Sequence, residues 1–151
     1  MALIYEARHF ELLAPERPHV TRADGGHIVI NPKLAVEDRT QLDRERAVEL
    51  MKLTMVAGEA MKTVLTRKGI EIGRINYNDN GNWRHELHVH LYGRALNATI
   101  QKWGTFLQIP PTRERFNAEM GALEPLNAGD IADLRAEIER LLASDKYRAF
   151  S

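Results

Sequence analysis

Apolar and polar positions change their rhythm several times along the chain, and each change predicts an element. Ala2 to Leu13 reads as an N-terminal strand segment with a turn at Pro15. His19-Val-Thr21 and His27-Ile-Val-Ile30 read as two strands, with Asp24-Gly25-Gly26 between them as a hairpin signal and Pro32 ending the second. Thr40-Gln-Leu-Asp43 resembles a capping box with Asp in place of Glu, so a helix is expected from about Gln41 to Arg67. Leu50, Leu53, Val56, Ala57, Ala60 and Val64 recur at spacings of three and four and draw one apolar stripe. Gly69 follows Lys68, as a helix C-terminus prefers.

After that helix the alternation becomes two-residue again. Ile70 to Tyr77 predicts a strand, Asn78 to Gly81 a turn, and Arg84 to Tyr92 a second strand. Arg94 to Gly104 is expected to form a short helix. Pro110-Pro111 marks a break, and Thr112 is placed to cap a short helix to Met120. Asn127 or Asp130 opens a last helix with Ile131, Leu134, Ile138, Leu141 and Leu142 on one face. Locally paired strands around one long helix predict an α+β fold with a mostly antiparallel sheet of about five strands.

The chain has 151 residues, enough for one domain with a full core. Its 21 basic and 21 acidic side chains cancel, so no overall field favours a nucleic acid polymer or an anionic membrane. No apolar run is long enough to span a bilayer, and the first residues lack the basic and apolar regions of a secretory signal. A cytoplasmic location is the expectation, and Asn97-Ala-Thr99 is then a chance glycosylation match. The absence of cysteine excludes thiol nucleophiles, disulfides and thiolate metal sites.

Candidate chemistry concentrates in one strand, His85-Glu-Leu-His-Val-His-Leu-Tyr-Gly-Arg94. Side chains alternate along a strand, so Leu87, Val89 and Leu91 face a core while Glu86, His88, His90 and Tyr92 share the other face. His85 falls on the apolar side and is read as peripheral. Three readings compete for the polar face. It is a solvated strand face; or a metal site in which Glu86, His88 and His90 are joined by a distant His9, His19 or His27; or a nucleophilic histidine, one ring nitrogen held as a donor and the other keeping its lone pair for a phosphorus atom.

The ordered motifs resemble the histidine triad (HIT) family, whose motif alternates three histidines with apolar residues and usually ends in Pro-Arg. Glu86-Leu-His88-Val-His90-Leu-Tyr92-Gly93-Arg94 is the best register, with Glu86 in place of the first histidine and Gly93 in place of the Pro. Gly25-Gly-His-Ile-Val-Ile-Asn-Pro-Lys33 is similar to a second family strand, Gly69 to Asn76 to a third, and Gly81-Asn82 to a Gly-Gln pair before the triad. The resemblance covers about residues 15 to 95.

The resemblance implies that residues 1–105 form a HIT-like domain, and that 106–151 form a helical extension packed on that domain or on a dimer partner. It implies a nucleotide hydrolase or transferase acting on an α-phosphate through a nucleotidyl-histidine intermediate, with His88 as nucleophile and dinucleoside polyphosphates or nucleoside phosphoramidates as substrates. His90 would contact the phosphate or leaving group, and Glu86 would orient His88 through its backbone carbonyl. The carboxylate of Glu86 would repel a phosphate unless protonated or paired. His27 would line the pocket, Asn82 would replace the Gln, and Asn76 and His19 would meet ribose or phosphate. Arg94 is a candidate phosphate ligand and Trp83 a candidate base-stacking group; Trp103 reads as core. No cofactor is required, a metal is not expected, and a homodimer is. A nucleotide-binding protein without turnover is the alternative from another class, since Glu86 departs from the motif.

Overall fold

The computed structural model describes residues 1–150. The N-terminal apolar segment is a hairpin of two strands rather than one, β1 (Ala2–Glu6) and β2 (Phe10–Ala14). The Ala7 amide donates to the Phe10 carbonyl at 2.9 Å and closes the turn. The expected strand at His19–Thr21 is absent. That segment is a loop ending in a 3₁₀ turn, Arg22–Asp24, and the Asp-Gly-Gly hairpin signal is spent there. Tertiary contacts override the local signal: the buried Asp24 carboxylate accepts the amides of Thr99, Ile100 and Gln101 at 2.8–2.9 Å.

β3 (His27–Pro32) follows, as the alternation predicts. The capping box lies earlier than expected: Asp38 and Gln41 cap a 3₁₀ turn, Arg39–Gln41. The long helix α1 (Arg44–Arg67) has its own cap, Asp43, which accepts the Arg46 amide at 2.9 Å. The predicted stripe is buried along its length.

β4 (Ile72–Asn78) and β5 (Val89–Ala95) complete one antiparallel sheet in the order β1-β2-β3-β5-β4. The histidine strand therefore starts five residues later than expected and runs three further. The helix expected over Arg94–Gly104 does not form. Arg94 and Ala95 continue β5, and the loop beyond them is held by Asp24 and by Arg94 itself. α2 (Arg113–Met120), α3 (Ala128–Leu142) and α4 (Asp145–Arg148) close the chain, with Thr112 and Asn127 as the caps of α2 and α3.

Strand pairing sorts the sheet into two faces. Ile30 opposite Val89 and Ile28 opposite Leu91 face the helices and form the core. His27 opposite Tyr92 and Val29 opposite His90 face the other way. α3 lies on α1 and β1, and its Leu134, Ile138 and Leu141 join the same core. The extension is fastened by polar groups as well. Asp130, without solvent exposure, accepts Arg22 at 2.6 and 3.0 Å and Lys68 at 3.0 Å.

Gly93, where the family pattern carries Pro, has a packing reason. A Cβ built there would lie 2.0 Å from the Gly25 carbonyl oxygen, and one on Gly25 would lie 2.2 Å from that of Gly93. Gly25 also has φ 132°, which side chains avoid. The two backbones touch, and the Gly93 amide donates to the Gly26 carbonyl at 3.0 Å.

Candidate active site

Just before β5, the backbone turns so that His88 reaches its own chain. Its Nδ1 lies 2.7 Å from the Glu86 carbonyl oxygen. A carbonyl only accepts, so Nδ1 carries the proton and Nε2 keeps its lone pair. The ring is buried, 8% exposed, and stands edge-on to His90 with centroids 4.7 Å apart.

A second chain of hydrogen bonds assigns the other imidazoles. The His19 backbone amide donates to His27 Nδ1 at 3.1 Å. His27 must then carry its proton on Nε2, which lies 2.9 Å from His90 Nδ1. His90 is thereby left with its proton on Nε2. One imidazole presents a lone pair and its neighbour an N–H. Tyr92 stacks on His90, with 9° between the rings, and its hydroxyl meets His19 Nδ1 at 2.8 Å.

Burial keeps this cluster neutral. His90 is pushed down to about 3 by burial first, then by His19, His88 and Arg84. His19 falls to about 4 through burial and His88. Burial carries His27 well below 6.5, helped by its three imidazole neighbours. His88 is also lowered by burial, against the pull of its hydrogen bond to Glu86. Burial raises the Tyr92 phenol, so it stays protonated.

The cleft in front of these rings has a volume of about 570 Å³. His19, His27, His88, His90, Asn82 and Trp83 all line it. Three expected site residues are placed elsewhere. The Glu86 side chain is exposed and lines neighbouring depressions rather than this cleft, so only its carbonyl reaches the site. Arg94 is 5% exposed and donates to Asn76 Oδ1 at 2.8 Å and to the carbonyls of Lys102 and Thr105 at 3.2 and 2.9 Å. Arg94 and Asn76 thus clamp the loop after β5 and line no part of the cleft. Trp103 is not core but 45% exposed.

The metal set read from sequence is also rearranged. Glu86 points away, and the histidines whose ligand atoms gather within 4.8 Å are His19, His27 and His90. Parts of the cleft lie outside any sequence motif. Phe116 of α2 packs on Trp83 and on His19, with centroids 5.7 and 4.9 Å apart, and Pro110 and Pro111 add to the same wall. The Trp83 indole donates to the Pro111 carbonyl at 3.2 Å. Arg84 and Arg113 line the cleft as well. No local signal pointed to Arg113 or Phe116, because α2 reaches the site only through the fold.

A five-stranded antiparallel sheet with two neighbouring imidazoles at its histidine strand, one presenting a lone pair and the other an N–H, is the arrangement the histidine triad resemblance implies. The chain belongs to that family: the HIT domain model matches residues 2–97. Solved structures agree on the fold. A hypothetical histidine triad nucleotide-binding protein from Sulfolobus tokodaii is 16% identical with a TM-score of 0.60, covering 93% of this chain and 85% of that one. A histidine triad protein from Bradyrhizobium japonicum is 15% identical with a TM-score of 0.63, over 91% and 87%. A zinc-bound histidine triad family protein from Mycobacterium smegmatis is 19% identical with a TM-score of 0.58, over 92% and 84%. The search of curated proteins finds no match.

Proposed function

We propose that the protein is a nucleotide hydrolase or transferase in which His88 Nε2 attacks an α-phosphate. The observation that carries this reading is the 2.7 Å bond from His88 Nδ1–H to the Glu86 carbonyl, which leaves Nε2 as a free nucleophile facing the cleft. A P–N bond forms as the bond from phosphorus to the leaving group breaks. His88 keeps its Nδ1 proton throughout, so the nucleotidyl-imidazolium is stabilised by the same carbonyl. Water then takes the phosphorus, and His88 departs as neutral imidazole. His90 Nε2–H and Asn82 supply donors toward the phosphoryl oxygens or the leaving group.

Glu86 contributes to this scheme through its backbone. With its side chain outside the cleft, its carboxylate is not set against the phosphate. His27 acts through His90, whose tautomer it sets. Trp83 and Phe116 form an apolar wall suited to a base.

The test is incubation with diadenosine polyphosphate and with adenosine phosphoramidate, alongside His88→Ala. Quenched samples of the native chain should carry a nucleotidyl adduct on His88 by mass spectrometry. If neither substrate is consumed, or if His88→Ala works equally well, the reading fails.

A second reading has its own observation, the convergence of His19, His27 and His90. A zinc ion there would have to take the His27 Nε2 proton's place and break the bond to His90. That arrangement would suit a metal-holding member, in line with the zinc-bound relative from Mycobacterium smegmatis. Elemental analysis of untagged protein purified without chelators decides it; less than a tenth of an equivalent of metal would remove this reading.

A two-fold dimer through β4 is part of the proposal. β4 is an edge strand, and the exposed Leu96 and Trp103 lie against its Gly73. Light scattering that finds a monomer at micromolar concentration would remove it.

A further inference from the structure

The chain is neutral overall, yet the cleft is not. Arg17, Arg84 and Arg113 line it, and no Asp or Glu does. None of the three forms an ion pair among the described residues, whereas Arg39, for example, is bound to Asp79 at 2.8 Å. Arg84 is half-buried. Its Nη2 donates to Asn31 Oδ1 at 2.6 Å, and its Nε is buried with no partner at all. Arg113, at the first turn of α2, donates to the Trp83 carbonyl at 3.0 Å and is otherwise exposed. That bond ties the extension to the strand-bearing domain at the mouth of the cleft.

Arg113 is bonded to the carbonyl of Trp83, the residue before Arg84, and both arginines line the one cleft. Burial lowers the Arg84 pKa, Glu86 outside the cleft opposes this, and Arg113 adds to it. Arg84 lines the same cleft as His88 and His90, and its charge helps to lower the pKa of both. Cations that line one cleft with no carboxylate among them focus a positive potential there and favour an anion. Arginine in pairs suits phosphate oxygens, which accept two parallel N–H bonds from each fork.

We propose that Arg84 and Arg113 form a second anion subsite beside the His88–His90 pair, taking the phosphate next to the one attacked. The inference rests on the nucleotide reading above and narrows it: the preferred substrate carries a phosphate chain, not an uncharged amine, on the leaving side. It also gives the C-terminal extension a role, since Arg113 lies outside the residues that match the family domain.

Calorimetry in a His88→Ala background, which prevents turnover, compares AMP, ADP and inorganic tripolyphosphate. ADP is expected to bind about tenfold or more tightly than AMP, as charge-assisted bonds to one further phosphate imply, and the gap should shrink with added salt. The ratio should fall to within about twofold when Arg84→Gln and Arg113→Gln are combined. Arg113→Gln alone, at an exposed position where folding is not at stake, should lower it part of the way. If AMP and ADP bind alike, or if the ratio survives in the double variant, the subsite is wrong and the nucleotide reading stands. Tripolyphosphate bound in an arginine-dependent way, with no nucleotide bound, would keep the subsite and overturn the nucleotide reading. Failure of all three ligands to bind overturns both.

Discussion

His27 Nε2 and His90 Nδ1 lie 2.9 Å apart, and a backbone amide two bonds upstream decides which of them donates. The His19 amide occupies His27 Nδ1, so the proton faces His90, and His90 turns its own proton to the cleft. The polarity of the site is thus set from the main chain outward, without any charged group.

In the proposed reaction, His90→Ala removes a donor to the phosphoryl group. The expected cost in kcat is roughly 10²- to 10³-fold, as for other single donors of this kind. His27→Ala leaves the His90 ring in place but frees its tautomer, so a smaller loss is expected, on the order of tenfold. Steady-state kinetics on both variants checks the order. A His27 variant as damaged as the His88 variant would contradict a role exerted only through His90.

Glu86 holds His88 through its carbonyl, and its side chain does not line the cleft. Glu86→Gln keeps the carbonyl that holds His88, so kcat is expected to change by less than about threefold, far less than the loss for an essential nucleophile. A hundredfold loss in Glu86→Gln would show that the carboxylate itself takes part.

The histidines also shape the dependence on pH. The proposed reaction needs His88 as neutral imidazole, and burial lowers its pKa from the ordinary value of 6.5. A profile of kcat/KM should therefore stay level from neutral pH to below 6.5 and fall only in more acid solution. An inflection at or above 6.5 would point to a different group.

Stability follows the same groups. The folded pKa values of His19 and His90 are depressed, to about 4 and about 3, from an unfolded value of 6.5. Above pH 6.5 both states are neutral and nothing is lost. As pH falls below 6.5 the unfolded chain takes up protons that the fold refuses, so stability drops until the folded groups titrate near 4 and 3. Denaturant titrations between pH 7.5 and 4.5 should show the midpoint falling with pH. A His19→Gln variant should flatten that slope, and an unchanged slope would count against burial as its cause.

Gly93→Ala places a methyl group against the Gly25 carbonyl, at a separation of 2.0 Å before relaxation. A destabilisation of about 1–3 kcal/mol is expected. Thermal unfolding should show a Tm lower by several degrees. An unshifted Tm would mean that the Gly25 turn and β5 part more easily than their backbone contact implies.

Much of this protein was legible in the order of its residues. Two-residue alternation separates Leu87, Val89 and Leu91 from His88 and His90, and in the fold the first set joins the core while the second lines the cleft. The stripe from Leu50 to Val64 and the caps at Thr112 and Asn127 are local signals, and local geometry honours them. Other features were decided only when distant segments met. The Asp-Gly-Gly signal became a 3₁₀ turn because Asp24 was recruited by amides 75 to 77 residues away. Arg94 left the site because Asn76 and a loop carbonyl outbid solvent for its guanidinium. Arg84 and Arg113 came to line one cleft because Phe116 packs α2 on Trp83 and His19, a contact that no short-range pattern encodes. Periodicity reports which face a residue takes; hydrogen-bond satisfaction across the fold decides what that residue then touches.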